Sequence, residues 1–471
     1  MSPSLTVASF IDEAALSTYQ KRVVALCLGL GLAEGINALS LGYVIPALSE
    51  LYDVPPAAFA FIFITALIGE IIGNFVLAPL GDKFGRRTMI RVGILIFGTA
   101  AVVSAFVGSV EALAVCRFFA GFGIGAAVPS VFTLASDFSP NRTKGRVISI
   151  LSMSISAGGF LIGLVASEFI PNYGGAAFLA LGGVLPLVLL AATWWALPES
   201  VAYLADQNRQ EAVRRTLRRI APESLDRLGD DAVFAPAERA QGARVVLLFK
   251  NGRLPQTVLI WVLSFLGLFN SYFIFSFLAT ILIIDGVPEP ASLLSVSLAT
   301  FGGMVGGVAL GLLMDRTSLG VAAGSLGTLL AIVGFLVLMV VPADSGALVF
   351  AILGAALGAG AIGANSCSQV LATQIYPATI RSTGLGWYSA MGRLGGLVAP
   401  SLIGALLAAN VSPNALYGTA IVPLALTGGV LVFFAIRYRS RLRETEPREE
   451  TTETLGAALA SSSPSGARTS A

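Results

Sequence analysis

Histidine is absent from this chain of 471 residues, cysteine occurs only 3 times, and charged residues make up 12% of the whole. Without imidazole, histidine-based acid–base catalysis and histidine-bearing metal sites are excluded. Cys27, Cys116 and Cys367 each fall inside an apolar stretch and are odd in number, so they read as small packing residues without a disulfide framework. A soluble domain carries about 25% charged residues, and a water-soluble fold is excluded as well. The formal net charge of +2 is too small to suggest nucleic-acid binding. The chain has no Gly-x-x-x-x-Gly-Lys-Ser/Thr loop, which argues against direct ATP drive, and Gly121, Gly123 and Gly125 lack the preceding strand that a nucleotide fingerprint needs.

What the chain does have is apolar surface. At 55% hydrophobic it holds about 260 apolar side chains, and one membrane span uses about 20, so the stock suffices for about twelve spans. Runs long enough to span fall near 23–48, 57–79, 89–108, 112–135, 147–170 and 174–197, then 255–284, 290–313, 320–341, 345–373, 383–409 and 415–437. The polar, Arg-rich break at 198–254 reads as a cytosolic linker, and Val213, Leu217 and Ile220 within it have the spacing of a short surface helix. The opening stretch 1–22 is polar, and the run after it reads as a retained helix rather than a signal peptide. The tail 438–471 is rich in Ser, Thr, Glu and Arg and is expected to be disordered at its end.

Basic residues near spans stay on the cytoplasmic side. All but Arg117 and Arg393 of the 29 basic residues lie in or beside the N-terminal stretch, the even-to-odd loops, the central insert and the C-terminal tail. The opposite loops carry acids such as Asp53, Asp285, Glu289 and Asp344. Both termini are therefore expected in the cytoplasm, with the chain in the inner membrane. The halves also repeat: Leu80-Gly81-Asp82-Lys83 matches Leu313-Met314-Asp315-Arg316 at an offset of 233 (82 to 315), and Pro140 with Lys144 matches Pro377 with Arg381 at 237 (144 to 381). Two such matches predict an all-α membrane protein of twelve transmembrane helices in two pseudo-symmetric six-helix bundles, 23–197 and 255–437. That is the architecture of a rocking secondary transporter, with the substrate near the midplane.

Leu80-Gly81-Asp82-Lys83-Phe84-Gly85-Arg86-Arg87 resembles the loop 2–3 signature of the major facilitator superfamily, with an abbreviated copy at Gly311–Arg316 and one departure, Ala78, at the motif's first glycine. Arg117-Phe118-Phe119-Ala120-Gly121-Phe122-Gly123-Ile124-Gly125 followed by Pro129 is similar to the family's helix 4. Within the superfamily, three stretches resemble the aromatic acid:proton symporters, carriers of benzoate-like anions. They are Glu34-Gly35-Ile36-Asn37 with Gly42 and Pro46; Leu197-Pro198-Glu199-Ser200 with Tyr203-Leu204; and Tyr376 to Trp387 continuing to Gly392-Arg393-Leu394-Gly395. That family places two aspartates three apart in helix 1, where this chain has Glu34 and Asn37. The antiporter pattern in helix 5 is missing, since Ala157-Gly158-Gly159-Phe160 has no proline. The resemblance implies proton-coupled uptake of an aromatic or related carboxylate by a monomer that is no enzyme and needs no cofactor or metal. The same fold could also carry another solute, and the residues alone leave that open, together with a sensor role.

An ionisable group at mid-membrane is costly unless paired or hydrated, which makes each one a candidate. Glu34, about 17 Å along helix 1 at 1.5 Å per residue, is either the proton carrier or a structural acid. Glu70, between Gly69 and Gly73, is either a relay or a buried pair, and Glu168 lies near a helix end where it can reach the headgroups. Arg393 is placed near mid-depth to fork onto a substrate carboxylate, or else to pair with an acid. Arg117 resembles the superfamily arginine linked to proton coupling, or bridges to helix 1 or 2. Asn37, Asn270, Tyr272, Asn365, Gln369 and Trp387 carry polar atoms that lipid would waste, which makes them candidates for the ring and its substituents. Asp82, Arg86, Arg87, Lys144, Asp315, Arg316 and Arg381 hold the positions of a conformational latch, or serve as positive-inside topology residues where they are basic.

Overall fold

A computed structural model describes residues 5–13, 16–77, 80–222, 225, 234–235, 245–250, 252–316, 320–376 and 380–437. The C-terminal tail, Ala78, Pro377 and most of the central insert after Ile220 lie outside the described residues. Among the described residues the chain is helical apart from one parallel pair of two-residue strands, β1 (Leu5–Thr6) and β2 (Phe234–Ala235). The helices are α1 (Val7–Glu13), α2 (Thr18–Tyr52), α3 (Ala60–Val76), α4 (Leu80–Phe84), α5 (Arg86–Val103), α6 (Val110–Asp137), α7 (Asn141–Ala196), α8 (Val201–Asp206) and α9 (Gln210–Ile220). The second half contributes α10 (Leu254–Ile284), α11 (Glu289–Arg316), α12 (Gly320–Leu338), α13 (Ala347–Ile375), α14 (Arg381–Ala408) and α15 (Pro413–Arg437).

Among the described residues, nine stretches are by themselves long and apolar enough to cross a membrane, and three more spans complete the twelve. α7 is two spans joined at Gly174, whose φ of 82° breaks the helical path after Pro171. α5 has span length but opens with Arg86, Arg87 and Arg91. α12 is apolar, and its described side chains begin at Gly324. The first span starts earlier than the apolar run suggests: Ser17 and Gln20 form a capping box, the Gln20 N–H donating to Ser17 Oγ and the Ser17 N–H to Gln20 Oε1 at 2.9 Å.

The repeat is visible in the packing. In the first half α3 and α6 touch backbone to backbone, because a Cβ at Gly69, Gly73, Gly121 or Gly125 would strike main-chain atoms of the facing helix. In the second half α11 and α13 do the same through Gly302, Gly306, Gly354 and Gly358. These are the second and fourth spans of each bundle, so one glycine seam occurs twice, and van der Waals contact across it takes the place of hydrophobic drive in lipid. The bundles meet through α7 with α11, α3 with α14 and α2 with α10.

Those contacts favour one end. Call the end with Arg22, Lys83 and Arg86 basic and the end with Asp53, Asp285 and Asp344 acidic. Phe63 packs on Phe277 at 5.7 Å, Phe160 on Phe301 at 4.9 Å, and Ser297 Oγ donates to the Phe160 carbonyl at 2.9 Å. Gly404, near the acidic end of α14, leaves no room for a Cβ beside Ala60. The two halves are thus closed together in the middle and at the acidic end. At the basic end of the first half, α9 buries Val213, Leu217 and Ile220 on its inner face, and Phe10 of α1 stacks edge-on against Phe234 at 5.9 Å. The N-terminal stretch and the insert therefore pack together as one cap.

Candidate functional site

The α3–α6 seam places two charges at the centre of the first half. Arg117 stands one turn before Gly121 on the same stripe of α6, which carries it beside α2. There it is only 3% exposed, and its Nη1 donates to Asn37 Oδ1 at 3.4 Å, a long bond to a neutral amide. Its Nε and Nη2 have no partner among the described residues, nor does Asn37 Nδ2, although Asn37 is 2% exposed. Both side chains, with Glu70 and Tyr272, line a cavity of about 70 Å³.

Glu70, on the wall of that cavity, reaches the other half, where its Oε1 lies 2.9 Å from Arg393 Nη2. Arg393 is held there because a Cβ at Gly395 would strike the Phe265 carbonyl and one at Gly396 would press on the Tyr272 ring at 3.0 Å. α14 therefore lies tight on α10, and Arg393 points between the halves. In this state Arg393 is therefore paired with an acid, and that acid comes from the opposite half rather than from its own. Glu34 has Glu70 and Arg393 as its charged neighbours. It makes no ion pair among the described residues, and its Oε2 is buried without a partner. It lines a narrow apolar cavity of about 10 Å³ with Ile94, Phe97, Phe132 and Leu151, which is room for about one water. Glu34, Asn37, Glu70, Arg117, Tyr272 and Arg393 thus converge on the centre.

The other candidates lie elsewhere. Asn270 is 1% exposed and donates to the Leu266 carbonyl of its own helix. Asn365 Oδ1 accepts from Tyr388 Oη at 3.3 Å, and Gln369, one turn on, is exposed. Trp387 stacks on Trp261 at 5.4 Å, and Phe249 meets Trp261 edge-on at 5.5 Å. Six residues separate Trp387 from Arg393, which puts them about 9 Å apart along the helix.

The loop signature is anchored inside the first half. Gly85 has a φ of 95°, and the Glu199 carboxylate lies on it, accepting from the Arg87 N–H at 3.1 Å and the Ser200 N–H at 3.0 Å. An anion there also suits the positive end of α5. Arg86 Nη1 donates to the Gly81 carbonyl at 3.2 Å, Tyr203 Oη donates to the Lys83 carbonyl at 3.1 Å, and Ser200 Oγ donates to Asp137. The charges of Arg86 and Lys144 act on Asp137 from nearby. The side chains of Asp82, Asp315, Arg316 and Arg381 lie outside the described residues, and so does any latch they form. Glu199 and Asp137 were not among the residues expected to matter for the latch, because nothing in their spacing announces their distant partners.

A Gly85→Ala variant tests this anchor. It would force a side chain into a left-handed conformation and against Glu199, costing about 1–3 kcal/mol. Thermal unfolding is expected to show that loss, with a smaller one for Glu199→Gln, which keeps the shape and removes about 0.3–1 kcal/mol of helix-end attraction.

Two six-helix bundles closed around a shared polar centre define a secondary transporter. The profile of the Major Facilitator Superfamily matches residues 27–400 and 322–467, and this chain belongs to that superfamily: it is a multi-pass membrane transporter, not an enzyme. It is 32% identical to the 4-hydroxybenzoate transporter PcaK of Pseudomonas putida over 433 residues, covering 91% of this chain and 96% of that one. It is 28% identical to the benzoate transport protein of Acinetobacter baylyi, covering 95% and 96%. These relatives match the resemblance to the aromatic acid symporters drawn from the motifs. Among solved structures, the inward-open xylose transporter XylE of E. coli superposes with a TM-score of 0.65 at 16% identity, covering 93% of this chain and 99% of that one. Such a likeness speaks for the fold.

Proposed function

We propose that this protein takes up an aromatic or related monocarboxylate together with a proton across the inner membrane, with both termini in the cytoplasm. The observation that carries the reading is the charge balance of the centre. Two guanidinium groups, Arg117 and Arg393, face two carboxyl groups, Glu34 and Glu70, of which, among the described residues, only Glu70 is in an ion pair. With all four ionised the centre is neutral. A bound carboxylate adds one negative charge that a low-dielectric interior resists, and a proton on Glu34 restores neutrality. Substrate and proton therefore favour each other's binding. Relatives that carry 4-hydroxybenzoate and benzoate support an aromatic acid as the solute.

With the basic end in the cytoplasm, closure of the acidic end makes this the inward-facing state. The Glu70–Arg393 bridge joins the halves in that state, and its opening accompanies the swing outward. The test is uptake of labelled 4-hydroxybenzoate into proteoliposomes. One proton per monocarboxylate is electroneutral, so a pH step of one unit is expected to give about tenfold accumulation and a membrane potential alone none. Movement of a different solute, or accumulation driven by potential without a pH step, would overturn this reading.

A further inference from the structure

We infer that the cavity beside Arg117 is a carboxylate subsite, formed by Arg117 and Asn37 and distinct from Arg393. This rests on the proposed carriage of an aromatic monocarboxylate and says where the carboxylate goes while Glu70 occupies Arg393. Arg117 is nine-tenths buried and has two nitrogens without an acceptor. Asn37 turns its oxygen to Arg117, which leaves Nδ2 as a third unused donor in the same cavity. Three buried donors and one buried positive charge without an acceptor make an incomplete arrangement, because buried polar groups and buried charges are otherwise paired.

Among the described residues, no acid pairs with Arg117. Glu70 lines the cavity but is committed to Arg393, and position 37, which sits against Arg117, carries an amide. The amide oxygen satisfies one guanidinium nitrogen and adds no charge, so the cation stays available to a ligand.

The cavity matches a carboxylate head in size and lining. Its volume of about 70 Å³ holds several waters, enough for a carboxylate but not for a ring in addition. Exposed Ala38 and half-buried Tyr272 lie on its lining, and Phe63 and Leu67 provide apolar walls. The ring then extends past the cavity toward Tyr272 on its lining, where an aromatic face is available. Arg117 can fork onto both carboxylate oxygens, with Asn37 Nδ2 donating to one of them.

The experiment uses the purified full-length chain with labelled benzoate as the probe and equilibrium binding as the readout, which is independent of transport. Asn37→Asp supplies an internal carboxylate to Arg117. It is expected to weaken benzoate binding on the order of 10- to 100-fold while raising the melting temperature, which shows that the variant is folded and the cation neutralised. Asn37→Ala, which only removes a donor, is expected to weaken binding less. Benzoate affinity unchanged in Asn37→Asp, no benzoate binding by the unaltered protein, or chloride competing with benzoate as effectively as formate would each overturn the subsite. Proton-driven uptake is scored separately. If it fails in the unaltered protein while Asn37→Asp still abolishes benzoate binding, the transport reading falls and the subsite stands. If uptake proceeds in Asn37→Asp with an unaltered KM, the subsite falls and the transport reading stands.

Discussion

Replacing Glu34 with glutamine is expected to reduce proton-driven accumulation of 4-hydroxybenzoate from about tenfold per pH unit to simple equilibration, while exchange of labelled for unlabelled substrate continues. Glutamine has nearly the shape of a protonated glutamate, so it mimics the loaded state and keeps the centre compatible with a bound anion. What it removes is the return step: with the substrate gone, the centre would hold Arg117 and Arg393 against Glu70 alone, one positive charge in excess. The empty carrier then reorients slowly and net flux stops. Exchange persists because it never passes through the empty form. Glu34 is suited to this role because its Oε2 is buried without a partner and it makes no ion pair among the described residues. The measurement is paired counterflow and gradient-driven uptake in the same proteoliposomes. Unchanged net accumulation in Glu34→Gln would remove Glu34 from the coupling.

Much of this architecture is written locally in the chain. The twelve spans follow from apolar runs, and the duplicated halves from Asp82 and Asp315 with their neighbours. Gly121 and Gly125 are small residues spaced by four on the α6 side of one seam. Those signals are periodic, so a single sequence displays them, whereas the choice of Gly302 and Gly306 as the faces of the other seam emerges only in the packing. The convergence of Glu34, Asn37, Glu70, Arg117, Tyr272 and Arg393 was legible only as a set of polar groups that lipid would not tolerate. Which of them pair was not legible. Glu70 and Arg393 are 323 positions apart (70 to 393), and their contact depends on how two bundles lean on one another. Trp387 is visible in the sequence as an aromatic within a span, but its stack on Trp261, on another helix, is not. Likewise, Glu199 is visible in Leu197-Pro198-Glu199-Ser200, but its place over Gly85 emerges only when the end of α7 returns to the start of α5.

Breaking the Glu70–Arg393 bridge is expected to open the acidic end, and reversing it to close that end again. Glu70→Gln leaves Arg393 without its partner, and Arg393→Glu sets two carboxyl groups facing each other. Glu70→Arg combined with Arg393→Glu restores opposite charges across the same gap. The two side chains are 25% and 31% exposed, so solvent screens part of the attraction, and a coupling of about 1–3 kcal/mol is expected, or roughly a 5- to 150-fold shift between states. Spin labels at Asp53 and Asn410, on opposite halves at the acidic end, report that shift directly. Each single variant is expected to populate a longer label distance and to lose most of its uptake, and the double variant to recover the short distance. The reversed pair need not recover full uptake, because Arg at position 70 would stand nearer Arg117 and alter the neutral centre on which coupling depends. This separation is what makes the experiment discriminating: distance follows the bridge, whereas uptake follows the bridge and the charge balance together. Label distances that stay unchanged in both single variants would show that apolar contacts such as Phe63 with Phe277 hold the acidic end shut without it.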